Sequence, residues 1–232
     1  MSKNGNNVIF RLNQEKTMYL KICVITISIL SFWTSGAFSQ SNYSEYISLK
    51  PNILSRQDWR AKKPIKKMKQ HEPSYITIHH SATSQKRHIS IERKMRNLQN
   101  FSQSAARLAS GRFKKAWADV PYHFYIDVNG QIAEGRNIRY SGDTNTNYNP
   151  SGHIQIVLEG NFVRKQPSTL QLKSLKKLVS WLANLWEISP TKIKGHQDYA
   201  STLCPGKNLE NKLSKIRQLV RSSMGQRHLF NH

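Results

Sequence analysis

Apolar positions along the chain change period several times, and each change predicts an element. Tyr75-Ile76-Thr77-Ile78-His79-His80 is a β-branched run that reads as a strand. Over residues 90–109, Ile91, Met95, Leu98, Ser102, Ala105 and Leu108 recur at helical spacing, with Ser90 as N-cap and Gly111 as terminator. Residues 122–128 alternate like a strand. Asn129-Gly130 signals a hairpin, and Gln131 to Glu134 form the returning strand. Ile154 to Leu158 is almost continuously apolar, as expected of a central buried strand. Ser168 and Gln171 form a capping box before a helix with Leu172, Leu175, Leu178, Val179, Leu182, Leu185 and Trp186 on one face, a core stripe. Leu209, Leu213, Ile216 and Val220 mark a last amphipathic helix. The order β-α-β-β-β-α-loop-α predicts an α/β (α+β) fold with a central mixed sheet flanked by helices, in a single domain.

Near the N-terminus the pattern is of another kind. Ile22 to Trp33 is an apolar run of about 12 residues, preceded by Lys21 and followed by small residues at Ala37 and Ser39. That is the shape of a secretory signal peptide cleaved after about Ser39, and it is short for a membrane span. The chain therefore divides into a signal at 1–39, a polar linker at 40–54, a folded domain at 55–206 and a helix with tail at 207–232. The expected product is exported, periplasmic or secreted, monomeric, and without a membrane span once the signal is removed.

Composition sharpens this picture in two ways. The 36 Lys and Arg against 13 Asp and Glu give a formal net charge of +23. Residues 1–39 hold four basic groups (Lys3, Arg11, Lys16, Lys21) and Glu15, which leaves +20 on the remainder. Such a surface suits a polyanionic partner, and export favours an anionic envelope polymer. Nucleic acid is set aside: the signal removes the chain from it, and the tryptophans sit mainly on apolar faces instead of alternating with exposed basic residues. The cysteines are Cys23 and Cys204. Removal of the signal leaves Cys204 alone, unable to form an internal disulfide in an oxidising compartment.

Metal ligation gives that thiol a purpose. In Gly195-His196-Gln197-Asp198-Tyr199-Ala200-Ser201-Thr202-Leu203-Cys204-Pro205-Gly206, an imidazole and a thiol stand eight positions apart on a segment that Pro205 and Gly206 mark as loop. Both are good zinc ligands, and a catalytic zinc needs a third. The strand ending in His79 and His80 is the best supplier.

Together with Thr77-Ile78-His79-His80-Ser81-Ala82-Thr83, Val120-Pro121-Tyr122-His123-Phe124, Glu134-Gly135-Arg136 and Glu159-Gly160-Asn161-Phe162, this loop resembles the zinc-dependent N-acetylmuramoyl-L-alanine amidases, the family of phage T7 lysozyme and the peptidoglycan recognition proteins. The resemblance covers roughly residues 55–206. It implies His79, His196 and Cys204 as ligands of a Zn2+ ion at the sheet edge, with Tyr122 and Thr202 at the reacting centre. Strand alternation turns His80 to the opposite face, which agrees with His79 as the ligand. The implied reaction is hydrolysis of the amide joining N-acetylmuramic acid to L-alanine, and the implied partner is peptidoglycan. The alternative is a peptidoglycan-binding recognition protein without hydrolysis. The presence of both histidines and the cysteine favours the enzyme.

Thr202 stands where some members carry a lysine. Val157 stands where a related branch has a glutamate base, and Gln155 where a glycine is usual. The base is then Tyr122 or the metal-activated water itself, with Glu159 in reserve. Asp198 and His123 are candidates for orienting the ligands, and His153 for the edge of a groove. The loop at 142–152 and Arg136 are candidates for meeting the substrate.

Overall fold

A computed structural model describes residues 50–107, 111 and 113–230. The expected signal, Cys23, most of the expected linker and Leu108 lie outside the described residues. The β-branched runs build a six-stranded sheet from β1 (Ile53–Leu54), β2 (Tyr75–His80), β5 (Phe124–Ile126), β6 (Ile132–Glu134), β7 (His153–Leu158) and β8 (Ile193–Gly195), in the order β1-β6-β5-β7-β2-β8. Two residues of the segment read as linker, Ile53 and Leu54, thus pair in the sheet. Only the β5–β6 pair is antiparallel; every other neighbour runs parallel, so the sheet is mixed as expected. Asn129-Gly130 makes the hairpin turn. The Asp127 carboxylate accepts from the amides of Asn129 and Gln131, both at 2.9 Å, and Gly130 takes the left-handed φ of 81°.

β7 lies between β5 and β2, and all six of its residues are buried. On one face of the sheet, Ile76, Ile78, Ile154, Ile156 and Leu158 meet the helices α2 (Thr169–Leu185) and α3 (Lys207–Phe230). The Ser168–Gln171 capping box that opens α2 is formed. Leu175, Leu178, Val179 and Leu182 are buried, whereas Leu185, expected on the same stripe, is exposed at the end of the helix. From α3, Leu209, Leu213, Ile216 and Val220 are fully buried. At about 1.5–3 kcal/mol for each such side chain, this helix is an integral part of the core.

The opposite face is covered in two parts. Helix α1 (Ile91–Gln103) packs Ile91 and Met95 over Tyr125, Ala133 and Val157, beside the buried Trp59. It begins at Ser90 as expected but ends six residues before position 109. Ser102 and Ser104 turn their hydroxyls back onto the carbonyls of Leu98 and Asn100, a pattern that competes with helix continuation. The buried Lys114 ammonium then caps the helix end, donating to the carbonyls of Ser102 (3.0 Å), Ser104 (2.7 Å) and Lys115 (3.0 Å). It is brought there by a two-stranded ribbon of β3 (Ala106–Arg107) and β4 (Phe113–Lys114), where a continuous helix was expected. The second part of the cover, over the β2–β8 side, is the 142–152 loop together with Tyr199. His79 lies between the two. Among the described residues, no helix is long and apolar enough to cross a membrane.

Candidate metal centre

β2 and β8 are the last two strands at one edge of the sheet, and their C-terminal ends carry the site. His79 leaves β2 toward the α1 side, on the same face as Thr77; His80, one residue on, turns to the other face, where its ring lies 6.3 Å from that of Phe162. At the end of β8 the chain enters a 3-10 turn, His196–Asp198, so His196 sits on a short helical turn where an irregular loop was expected. The Asp198 carboxylate accepts from the Gly195 amide at 3.0 Å and fixes this turn. Asp198 therefore shapes the ligand segment from behind and does not bond the imidazole.

The eight-residue separation of His196 and Cys204 is closed by the backbone. Gln197 N donates to Cys204 O at 2.7 Å, and Cys204 N donates to Thr202 Oγ1 at 3.2 Å. Gly206 follows with φ of 90°. A Cβ there would lie 2.4 Å from the Phe162 carbonyl carbon, so only glycine lets the two segments touch. The loop thus returns its sulfur to the end of β2, where His80 N donates to Cys204 Sγ at 3.3 Å.

The outcome is one cluster in which a ligand atom from each of His79, His196 and Cys204 lies within 4.8 Å of the others. Cys204 Sγ is 3.7 Å from His79 Nδ1. Tetrahedral zinc, with nitrogen at about 2.1 Å and sulfur at about 2.3 Å, sets N···S near 3.6 Å, so the spacing fits. The other nitrogen of His79, Nε2, is buried with no hydrogen-bond partner among the described residues. Burial holds the His79 ring well below its ordinary value, with the neighbouring His196 adding to the effect, and burial pushes His196 down to about 4. Both rings are neutral at neutral pH, the form that ligates. Burial pushes the Cys204 thiol up to about 12, against the opposing hydrogen bond from His80 N. A bare thiolate is therefore disfavoured here, and a divalent cation reverses that balance because a coordinating thiol is deprotonated outright.

Tyr122 packs its ring 5.2 Å from that of His79. Its hydroxyl has no hydrogen-bond partner among the described residues. Burial raises its pKa far above the ordinary phenol value, and the Cys204 sulfur adds to that. Thr202 Oγ1 accepts from the amide of Cys204, two residues on.

Four other expectations are corrected. His123 bonds Tyr140 O through Nε2 (2.9 Å) and Gln155 N through Nδ1 (2.8 Å), so both ring atoms serve the fold and neither orients a ligand. Glu159 accepts from Lys94 Nζ (2.9 Å), Lys86 N (2.8 Å) and Val128 N (2.9 Å) in a buried network with Asp127, which leaves it no part as a base. Arg136 is 2% exposed and donates to the carbonyls of Asp119, Val120 and Ser141 and to the Asp143 carboxylate. It ties the segment before Tyr122 to the 142–152 loop and is not open to substrate. His153 is buried, with Nδ1 2.7 Å from Thr77 Oγ1 and its ring stacked on Tyr75, and stays outside the cluster.

The structure also brings in two residues that the sequence marks only as part of a candidate substrate loop. Thr146 Oγ1 lies 2.8 Å from His196 Nε2, and the Tyr148 ring lies 5.1 Å from the His196 ring. Both belong to the 142–152 loop, whose Asn-, Asp- and Ser-rich composition reads as surface.

Residues 69–207 match the family model described as N-acetylmuramoyl-L-alanine amidase. Peptidoglycan recognition protein 1 of Mus musculus is 32% identical over 161 residues, covering 68% of this chain and 83% of that protein. Among solved structures, Drosophila peptidoglycan recognition protein SD superimposes with a TM-score of 0.61 at 27% identity, covering 70% of this chain and 92% of the other. The N-acetylmuramoyl-L-alanine amidase LysC from Clostridium intestinale URNW shares the fold, with a TM-score of 0.57 at 24% identity over 72% of this chain and 98% of the other. With more than half of its length matched to that model, this chain belongs to the N-acetylmuramoyl-L-alanine amidase family.

Proposed function

We propose that the protein is a zinc-dependent N-acetylmuramoyl-L-alanine amidase that hydrolyses the amide between N-acetylmuramic acid and L-alanine in peptidoglycan. The observation that carries this reading is the meeting of His79, His196 and Cys204, distant in the chain, in one buried cluster with the Tyr122 phenol beside it. His79, His196 and Cys204 would hold the ion, which supplies Lewis acidity to the scissile carbonyl and to water.

The remaining work falls to the chain. Desolvation of the half-buried Tyr122 phenol keeps it protonated, which suits it to donate a hydrogen bond and not to accept a proton. Its unpartnered hydroxyl is free to stabilise the oxyanion that develops when water adds to the amide carbon. Thr202 accepts from Cys204 N, which leaves its own O–H to donate toward the same carbonyl. Val157 is fully buried and apolar, and Glu159 is committed to Lys94, so neither relays the proton that passes from the attacking water to the leaving nitrogen. The apolar run at Ile22 to Trp33 supports export to the compartment that holds peptidoglycan, and the excess of basic residues supports retention on anionic envelope polymers.

The relatives that are recognition proteins make a receptor the alternative. Purified peptidoglycan incubated with the chelator-treated protein, with and without added zinc, separates the two. The amidase releases free L-alanine amino groups only when zinc is present; retention on peptidoglycan with no new ends would establish the receptor instead.

A further inference from the structure

We infer that Thr146 is the positioning residue of His196, and that the 142–152 loop belongs to the metal site as its supporting strap. This inference rests on the metal-binding reading above. An imidazole has two nitrogens and, when neutral, one proton. In His196, Nε2 is 2.8 Å from Thr146 Oγ1, so Nδ1 is the nitrogen left to face His79 and Cys204. With the proton on Nε2, the ring donates to Thr146 Oγ1 and presents the Nδ1 lone pair to a cation. The opposite tautomer puts a proton where the cation must bind.

Among the described residues, Thr146 is the only hydrogen-bond partner of this ring. Asp198 bonds the Gly195 amide and His123 is engaged elsewhere, so neither can substitute. His196 needs such a partner more than His79 does. His79 is set within a strand paired on both sides, whereas His196 stands on a 3-10 turn just past the edge strand β8.

Thr146 is itself held. Its hydroxyl lies 2.8 Å from Thr144 Oγ1, and its amide donates to that same oxygen at 3.1 Å. The start of the loop is pinned where the buried Arg136 bonds Asp143 and Ser141 O. The Tyr148 ring lies against both His196 and Tyr199 and closes the far side. Arg136 also bonds Val120 O, two residues before Tyr122, so one guanidinium indexes the supports of the ligand and of the oxyanion donor to each other.

The test compares wild type, Thr146→Val and Thr146→Ser, using zinc ions as the probe. Affinity is measured by competition with a chromogenic chelator, geometry by the visible spectrum of the cobalt-loaded protein, and folding by melting of the metal-free forms. Valine keeps the shape and removes the hydroxyl, and is expected to weaken zinc binding by about 10- to 100-fold and to alter the cobalt spectrum. Serine is expected to bind as wild type does, and the metal-free melting temperatures are expected to agree. Zinc binding by Thr146→Val as tight as wild type overturns the positioning role while leaving the metal site standing. Equal weakening in valine and serine variants also overturns it, since packing and not the hydroxyl would then be responsible. Failure of the wild type itself to bind zinc overturns the metal reading and this inference together.

Discussion

Replacing Cys204 with serine exchanges one sulfur for oxygen at a site that is 9% exposed. The serine hydroxyl remains able to accept from His80 N, the bond that Cys204 Sγ takes at 3.3 Å. The metal-free variant should therefore fold, with stability within about 1 kcal/mol of wild type, the scale of one hydrogen bond. Its response to zinc should be very different. A ligand that binds only the folded state stabilises it by RT ln(1 + [L]/Kd), about 4.1 kcal/mol at 1,000-fold excess over Kd. For a domain of this size each kcal/mol is worth about 2–4 °C, so zinc should raise wild-type melting by about 8–16 °C. If loss of one ligand in three weakens binding about 1,000-fold, the same zinc concentration stabilises the variant by only about 0.4 kcal/mol, or about 1 °C. Calorimetric melts of chelator-treated protein with titrated zinc, alongside metal content per chain, measure this. An equal zinc-induced shift in Cys204→Ser and wild type would refute the ligand assignment.

Other residues lead to separate outcomes. Tyr122→Phe removes the donor beside His79 and should lower peptidoglycan hydrolysis on the order of 100-fold or more while leaving zinc affinity unchanged; hydrolysis within a few-fold of wild type contradicts the oxyanion role. Lys94→Met leaves the Asp127 and Glu159 carboxylates buried without their cation and should cost about 3–5 kcal/mol in urea unfolding, with zinc stoichiometry retained. His123 is held neutral by burial, which pushes it down to about 3. Between that value and about 6.5 in the unfolded chain, the unfolded state binds the proton and the folded state does not, so acid favours unfolding. Stability should fall as pH drops through this window, by up to about 1.4 kcal/mol per pH unit from this residue, and His123→Asn should reduce the slope by that amount; an unchanged slope in urea titrations at pH 6 and 5 counts against the assignment.

Much of this fold is legible because local signals agree with tertiary packing. The capping box at Ser168, the Asn129-Gly130 turn and the apolar run of β7 each do in the structure what the pattern implies. Alternation in β2 also separates His79 from His80 correctly, because one face of the strand is buried under α2 and α3. The failures share a cause. Apolar spacing continues past Gln103, but serine hydroxyls and the Lys114 ammonium, recruited from 10 residues beyond Ser104, end α1 instead. Arg136 and Glu159 look available as charges, yet burial and buried partners commit them to the scaffold, and a sequence does not display burial. Thr146 and Tyr148 lie in a polar loop with no periodicity, and their approach to His196 depends on Arg136 folding that loop inward.

If two imidazoles and one thiolate of this chain bind a single zinc ion and leave a position for water, the shell of the bound metal must hold both nitrogen and sulfur. X-ray absorption at the zinc edge of the stoichiometrically loaded protein reads that shell. One sulfur at about 2.3 Å is expected, with two imidazole nitrogens and one further light atom at about 2.0–2.1 Å. A shell without sulfur, or with ligands unchanged in the Cys204→Ser protein, would contradict it.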